Sequence, residues 1–145
     1  MIDKIRQNSF LKISIGIVYF WFGALKFFPE LSPAEGLATD TITELTLGII
    51  PAEISIVLLA LIEVGIGVCF LLNIHPKKVA IAALAHLCFT FTPLFFFNDI
   101  SFNGYPIFLT LLGQYIIKNL IIIAALLSII KERNHQVSST EIIEN

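Results

Sequence analysis

Residues 49–72 read IIPAEISIVLLALIEVGIGVCFLL, an apolar run holding two acids, Glu53 and Glu63, and no base. At about 1.5 Å per residue, a helix of that length spans about 36 Å, enough for a hydrocarbon core of about 30 Å. The run is continuous rather than alternating, which favours a membrane helix over a barrel strand. Outward from it lie three more such runs, residues 10–28, 79–97 and 107–130. Together they take up more than half of the 145 residues. The expected fold is all-α: a polytopic membrane four-helix bundle forming one transmembrane domain, with a polar tail over 131–145.

The charges divide by connection. Lys4, Arg6, Lys12, Lys77, Lys78, Lys131 and Arg133 fall in the N-terminal segment, the second connection and the tail, or at the edges of the runs. The first and third connections carry Glu30, Glu35, Asp40, Glu44 and Asp99 without a base. By the positive-inside rule both termini are expected in the cytoplasm.

Composition agrees with a membrane protein: 57% of residues are hydrophobic, 14% are charged and the mean hydropathy is +0.88. The net charge of −2 comes with no basic patch interleaved with aromatics, so nucleic acid is not an expected partner. Phe27-Phe28-Pro29 lacks the small residues of a leader cleavage site, so the first run reads as a retained span. Cys69 and Cys88 fall at different estimated depths, about 30 Å and about 14 Å below the outer boundary. No bridge is expected between them, since a disulfide needs Cα atoms within about 7 Å.

The first connection is the long one. Ser32-Pro33-Ala34-Glu35 reads as a capped helix start. A short helix through about Leu47, ending at Gly48, is expected to lie on the outer membrane surface through Leu37, Ala38, Ile42 and Leu45, lidding the bundle. Asn73–Lys78, with His75-Pro76, is a tight turn. The third connection, Asn98–Pro106, is also short. Pro93 is expected to kink the third span near Phe89, since a proline removes a helical hydrogen bond and crowds the carbonyl four residues earlier. From Lys131 onward the polar tail is expected to fray.

Ionisable groups inside a span are costly and usually face the bundle interior. Here they and their polar companions are Lys26, Glu53, Glu63, His86, Gln114, Lys118 and Asn119. Depths counted from the outer boundary are about 21 Å for Glu63, about 17 Å for His86 and Lys118, and about 11 Å for Gln114. Glu63, His86, Gln114, Lys118 and Asn119 therefore form a candidate polar midplane cluster, with the Glu63 carboxylate expected to face Lys118 or His86. Lys26 and Glu53 read as a pair at the outer interface, each at the helix end whose dipole favours its charge. A plain alternative stands beside each reading: snorkelling for Lys26, a register-setting ion pair for Glu63 and Lys118, and a satisfied interior ring for His86. Small and polar residues stripe the first run at Gly16, Tyr19, Gly23 and Lys26, and Glu63 shares its face with Ala60 and Gly67, small residues that let helices approach closely. A bis-histidine haem is excluded, because His75 and His135 lie outside the spans. No metal-ligand cluster or phosphate-cradling glycine loop appears.

The stretch GIVYFWFGALKFFP over 16–29, the element Glu63-Val-Gly-Ile-Gly67 and the stretch LGQYIIKN over 112–119 resemble the DoxX-like family of small four-helix membrane proteins. That resemblance implies a bundle in the bacterial cytoplasmic membrane, associated with quinone-linked sulfur oxidation or oxidative-stress complexes. Many such relatives carry an arginine shortly after the second span; this chain has Lys77-Lys78, which keeps the charge without bidentate anion recognition. The resulting expectation is an accessory subunit of a membrane redox system without catalytic activity of its own. It would carry no resident cofactor, and its candidate ligand is quinone. Its partners are membrane lipid and a redox protein, and homo-oligomerisation is left open. A membrane scaffold or chaperone, and a small-solute or proton pathway through Glu63, His86 and Lys118, are the competing classes.

Overall fold

The apolar runs fold as helices. The computed structural model describes residues 2–28, 35–96, 101 and 110–143. Its order is α1 (Ile2–Leu25), α2 (Glu35–Leu45), α3 (Ala52–Leu71), α4 (Pro76–Thr90), α5 (Pro93–Phe96) and α6 (Leu111–Ile143). No strand occurs among the described residues.

Three stretches are long and apolar enough to cross a membrane: Ala52–Leu71, Pro76–Phe96 and Gly113–Lys131. They mark a membrane protein. The apolar part of α1, Ser9–Leu25, is shorter. The run over 10–28 loses its last residues because Lys26, Phe27 and Phe28 leave the helix. Their N–H groups donate instead to the carbonyls of Gly23, Ala24 and Leu25, the three-residue pattern of a tightening last turn. Large side chains on the outside, among them Phe10, Trp21, Phe89, Phe95 and Ile121, are exposed in the isolated chain. Facing hydrocarbon, they lose nothing by it.

Since lipid is as apolar as leucine, such helices associate through close packing. The tightest seam joins α1 to α3. A Cβ on Gly67 would come 2.5 Å from the Phe20 backbone nitrogen, and one on Gly23 would come 2.8 Å from Glu63 Cβ and the Val64 nitrogen. Gly16 sits slightly less closely, with Leu71 Cγ at 3.0 Å and Phe70 Cβ at 3.1 Å from where its Cβ would be. Each step toward the C-terminus of α1 is thus matched by a step toward the N-terminus of α3. Small residues make the seam possible, as their spacing foretold. The core continues through Ile15 and Tyr19 of α1, Ile66 and Phe70 of α3, Ala80, Ala83 and Leu87 of α4, and Leu126 and Ile129 of α6.

The α2 helix ends one residue earlier than its glycine implies. The N–H of Gly48 donates to the Thr43 carbonyl and that of Leu47 to Glu44, the paired bonds of a Schellman cap. The left-handed cap position therefore falls on Leu47, with φ 53°, and Gly48 follows at φ 74°. The same cap closes α3 on Asn73, with Ile74 donating to Cys69. Lys12 Nζ donates to Asn73 Oδ1 at 2.8 Å and ties α1 to that turn. The capped start at Ser32–Ala34 and the third connection, apart from Ser101, lie outside the described residues.

Pro93 does more than kink the third span. The helix stops at Thr90 and resumes as the single turn α5. With no proline N–H to receive, the Phe89 carbonyl accepts from the Thr92 N–H at 3.2 Å and from Thr92 Oγ1 at 2.7 Å. Thr110 then caps α6, its Oγ1 accepting from the Gly113 N–H at 3.2 Å. The tail beyond Lys131 does not fray as expected: α6 runs on to Ile143. Extending an existing helix avoids the cost of nucleation, and Lys, Glu, Arg and Gln are good helix formers.

Candidate binding site

Three helices and the turn after the first bring four polar groups together. Lys26, in the turn just after α1, reaches across the Gly23 contact to α3, where its Nζ lies 2.5 Å from Glu63 Oε2. On the other side of the carboxylate, His86 of α4 places Nε2 3.4 Å from Glu63 Oε1. Tyr19, two turns before Lys26 on α1, donates its hydroxyl to the Ala83 carbonyl at 3.1 Å and lies 3.3 Å from His86 Nδ1. The two rings meet edge-on, with centroids 5.6 Å apart. The side chains of Lys26, Glu63 and His86 are only 9%, 10% and 11% exposed. Such groups persist in an apolar interior only when paired.

His86 Nε2 is the exception. It is buried and, at 3.4 Å from Glu63 Oε1, has no hydrogen-bond partner. No other buried side-chain nitrogen or oxygen among the described residues is left in that position.

These four residues line one wall of a cavity of about 260 Å³. The rest of its lining is mainly apolar: Phe22 of α1, Leu59 of α3, Leu87 and Phe89 of α4, and Tyr115, Ile116 and Ile122 of α6. From α2 come Leu37, Ala38, Thr41, Ile42 and Leu45. Leu37, Ala38, Ile42 and Leu45 are the residues expected on the inner face of a helix at the membrane surface that lids the bundle, and they line the cavity. That face stays apolar because the threonines of α2 turn inward on their own backbone, Thr41 Oγ1 donating to the Leu37 carbonyl at 2.6 Å.

The expected midplane cluster is regrouped. Glu63 and His86 do meet, and Asn119 lines the same cavity. Lys118 does not face Glu63: it is exposed, with its Nζ 5.1 Å from the centre of the Tyr115 ring. Gln114 is likewise exposed. The pairing of Lys26 with Glu53 is also corrected, because Lys26 pairs with Glu63. Glu53 is exposed in the first turn of α3, ten residues from Glu63 and so about 15 Å along the axis. The register set by Gly16, Gly23 and Gly67 decides this, and depths counted on each helix alone do not contain it. Tyr19 was read only as part of a small-polar stripe. Its spacing of seven from Lys26 puts both on one face and was the available signal.

Cys69 and Cys88 are both free thiols. Comparison of the chain with models of protein families, with curated proteins and with solved structures finds no match.

Proposed function

We propose that this chain is a DoxX-like, four-span protein of the bacterial cytoplasmic membrane, with both termini inside. In this reading it serves a membrane redox or oxidative-stress system as a non-catalytic subunit, and its cavity receives the headgroup of a quinone. The supporting observation is the cavity itself: an apolar chamber with one polar wall, built from Tyr19, Lys26, Glu63 and His86. Small-molecule sites combine just these features, a mostly apolar lining with a few placed polar groups. At about 260 Å³ the space lies just below the ~300–1,000 Å³ of drug-sized sites, which matches a single substituted ring. An isoprenoid tail would leave among the lipid-facing side chains.

The test is to purify the full chain from its native membrane in mild detergent, extract it with organic solvent and measure quinone per protein. A ratio near one, lost on filling the cavity with Ala38→Phe, supports the reading. Absence of quinone, together with failure of the purified protein to bind an added short-chain benzoquinone, overturns it. Co-purification of a stoichiometric membrane protein with an empty cavity would favour the scaffold instead.

A further inference from the structure

The polar wall is short of donors, and this bears on which oxidation state of a ring it prefers. Tyr19 has one hydroxyl proton. The Ala83 carbonyl, 3.1 Å away, can only accept, so the proton lies on that contact. The second contact, 3.3 Å to His86 Nδ1, is then attractive only if Nδ1 carries a hydrogen and donates to the tyrosine oxygen. In a neutral imidazole that leaves Nε2 as a bare lone pair.

Two further observations agree. Nε2 is buried without a hydrogen-bond partner. Its 3.4 Å distance from Glu63 Oε1 is well beyond the about 2.7–2.9 Å of a charge-assisted N–H bond to a carboxylate. A doubly protonated ring would also set a second cation beside Lys26 and leave net charge within the membrane, which is costly. Glu63 Oε2 is taken by Lys26, whose Nζ also approaches the Phe22 carbonyl at 3.5 Å. What remains is a pair of adjacent acceptors, Glu63 Oε1 and His86 Nε2. A ligand carbonyl would add a third acceptor there. A ligand hydroxyl supplies the missing proton.

We propose that the ligand is held through a hydroxyl that donates to Glu63 Oε1, with His86 Nε2 as the neighbouring acceptor, so that the site takes a quinone-type ring in its reduced, dihydroxy form in preference to the dicarbonyl form. This rests on the cavity reading above. Binding alone is claimed; no electron transfer is assigned to the chain.

The experiment is anaerobic titration calorimetry on the full chain in detergent. Three probes share one ring and tail: a decyl-substituted dimethoxymethylbenzoquinone, its quinol, and the bulkier dimethyl ether of that quinol. The quinol is expected to bind about tenfold tighter than either of the others, the least that a hydrogen bond to a charged acceptor should supply. Tyr19→Phe removes the oxygen that keeps the proton on Nδ1, and the preference should then shrink. Nitrogen-15 NMR of the native chain, with His86 assigned by its loss in His86→Gln, should show a neutral ring protonated at Nδ1. Equal or tighter binding of the quinone, or an imidazolium signal, overturns the donor assignment while leaving the cavity reading intact. Failure of all three probes to bind overturns both.

Discussion

A Cβ placed on Gly67 would lie 2.5 Å from the backbone nitrogen of Phe20, so α1 and α3 touch through their main chains at that point. No side-chain rotation relieves such a contact. Gly67→Ala should therefore part the helices and destabilise the fold by about 1–3 kcal/mol, the usual cost of overpacking. Gly65, two residues away on the same helix, has open space where a Cβ would go. Gly65→Ala should be neutral, or stabilising by up to about 1 kcal/mol through helix propensity. Equilibrium unfolding of both variants in detergent reads the contrast, and equal effects would refute the close seam.

Lys26 and Glu63 should behave as one unit. Removing either alone strands a charge that is nine-tenths buried, and Lys26→Met and Glu63→Gln should each cost on the order of 3–5 kcal/mol. The double variant should regain a large part of that loss in a double-mutant cycle. Lys118→Met, on the exposed side of α6, should show no coupling to Glu63→Gln. Additive losses for Lys26 and Glu63 would mean that the pair is not formed.

Leu47 is 87% exposed, yet it holds the left-handed cap of α2 at φ 53°. An L-residue gives up about 1–2 kcal/mol in that conformation. Leu47→Gly should raise the Tm, with a net gain of up to about 1 kcal/mol after the extra chain entropy of glycine is subtracted. Asn73→Ala should do the reverse at the equivalent cap of α3, because asparagine tolerates this region better than alanine.

Whether the short apolar segment of α1 crosses the bilayer can be read from the two ends of the chain. Four crossings put an N-terminal and a C-terminal tag on the same side, whereas three put them on opposite sides. We expect both tags to be shielded from protease in intact spheroplasts. Cleavage of one alone would make α1 a surface or half-embedded helix.

Much of this architecture is legible without coordinates, and the limit falls at a definite kind of information. The span over 49–72, the small-residue faces at Gly23 and Gly67 and the break at Pro93 follow from local chemistry: hydropathy, missing side chains and a missing N–H. The partner of Lys26 does not. Glu53 and Glu63 both lie on α3, and choosing between them requires how far one helix is slid along another. Lys118 failed for a related reason, since depth in the bilayer says nothing about the direction in which a helix faces. Tyr19 shares the Lys26 face by its spacing of seven, but the Ala83 carbonyl and His86 ring that its hydroxyl meets follow only from how α1 and α4 sit together.

Five of the eleven residues of α2 line the cavity: Leu37, Ala38, Thr41, Ile42 and Leu45. A guest leaving on that side must first peel these contacts away. Residence time then includes how often an eleven-residue helix lifts from its seat, in addition to the bonds that the guest makes with the polar wall. Sequence changes in those connections could therefore retune exchange with the surrounding lipid while every group on the polar wall stays as it is.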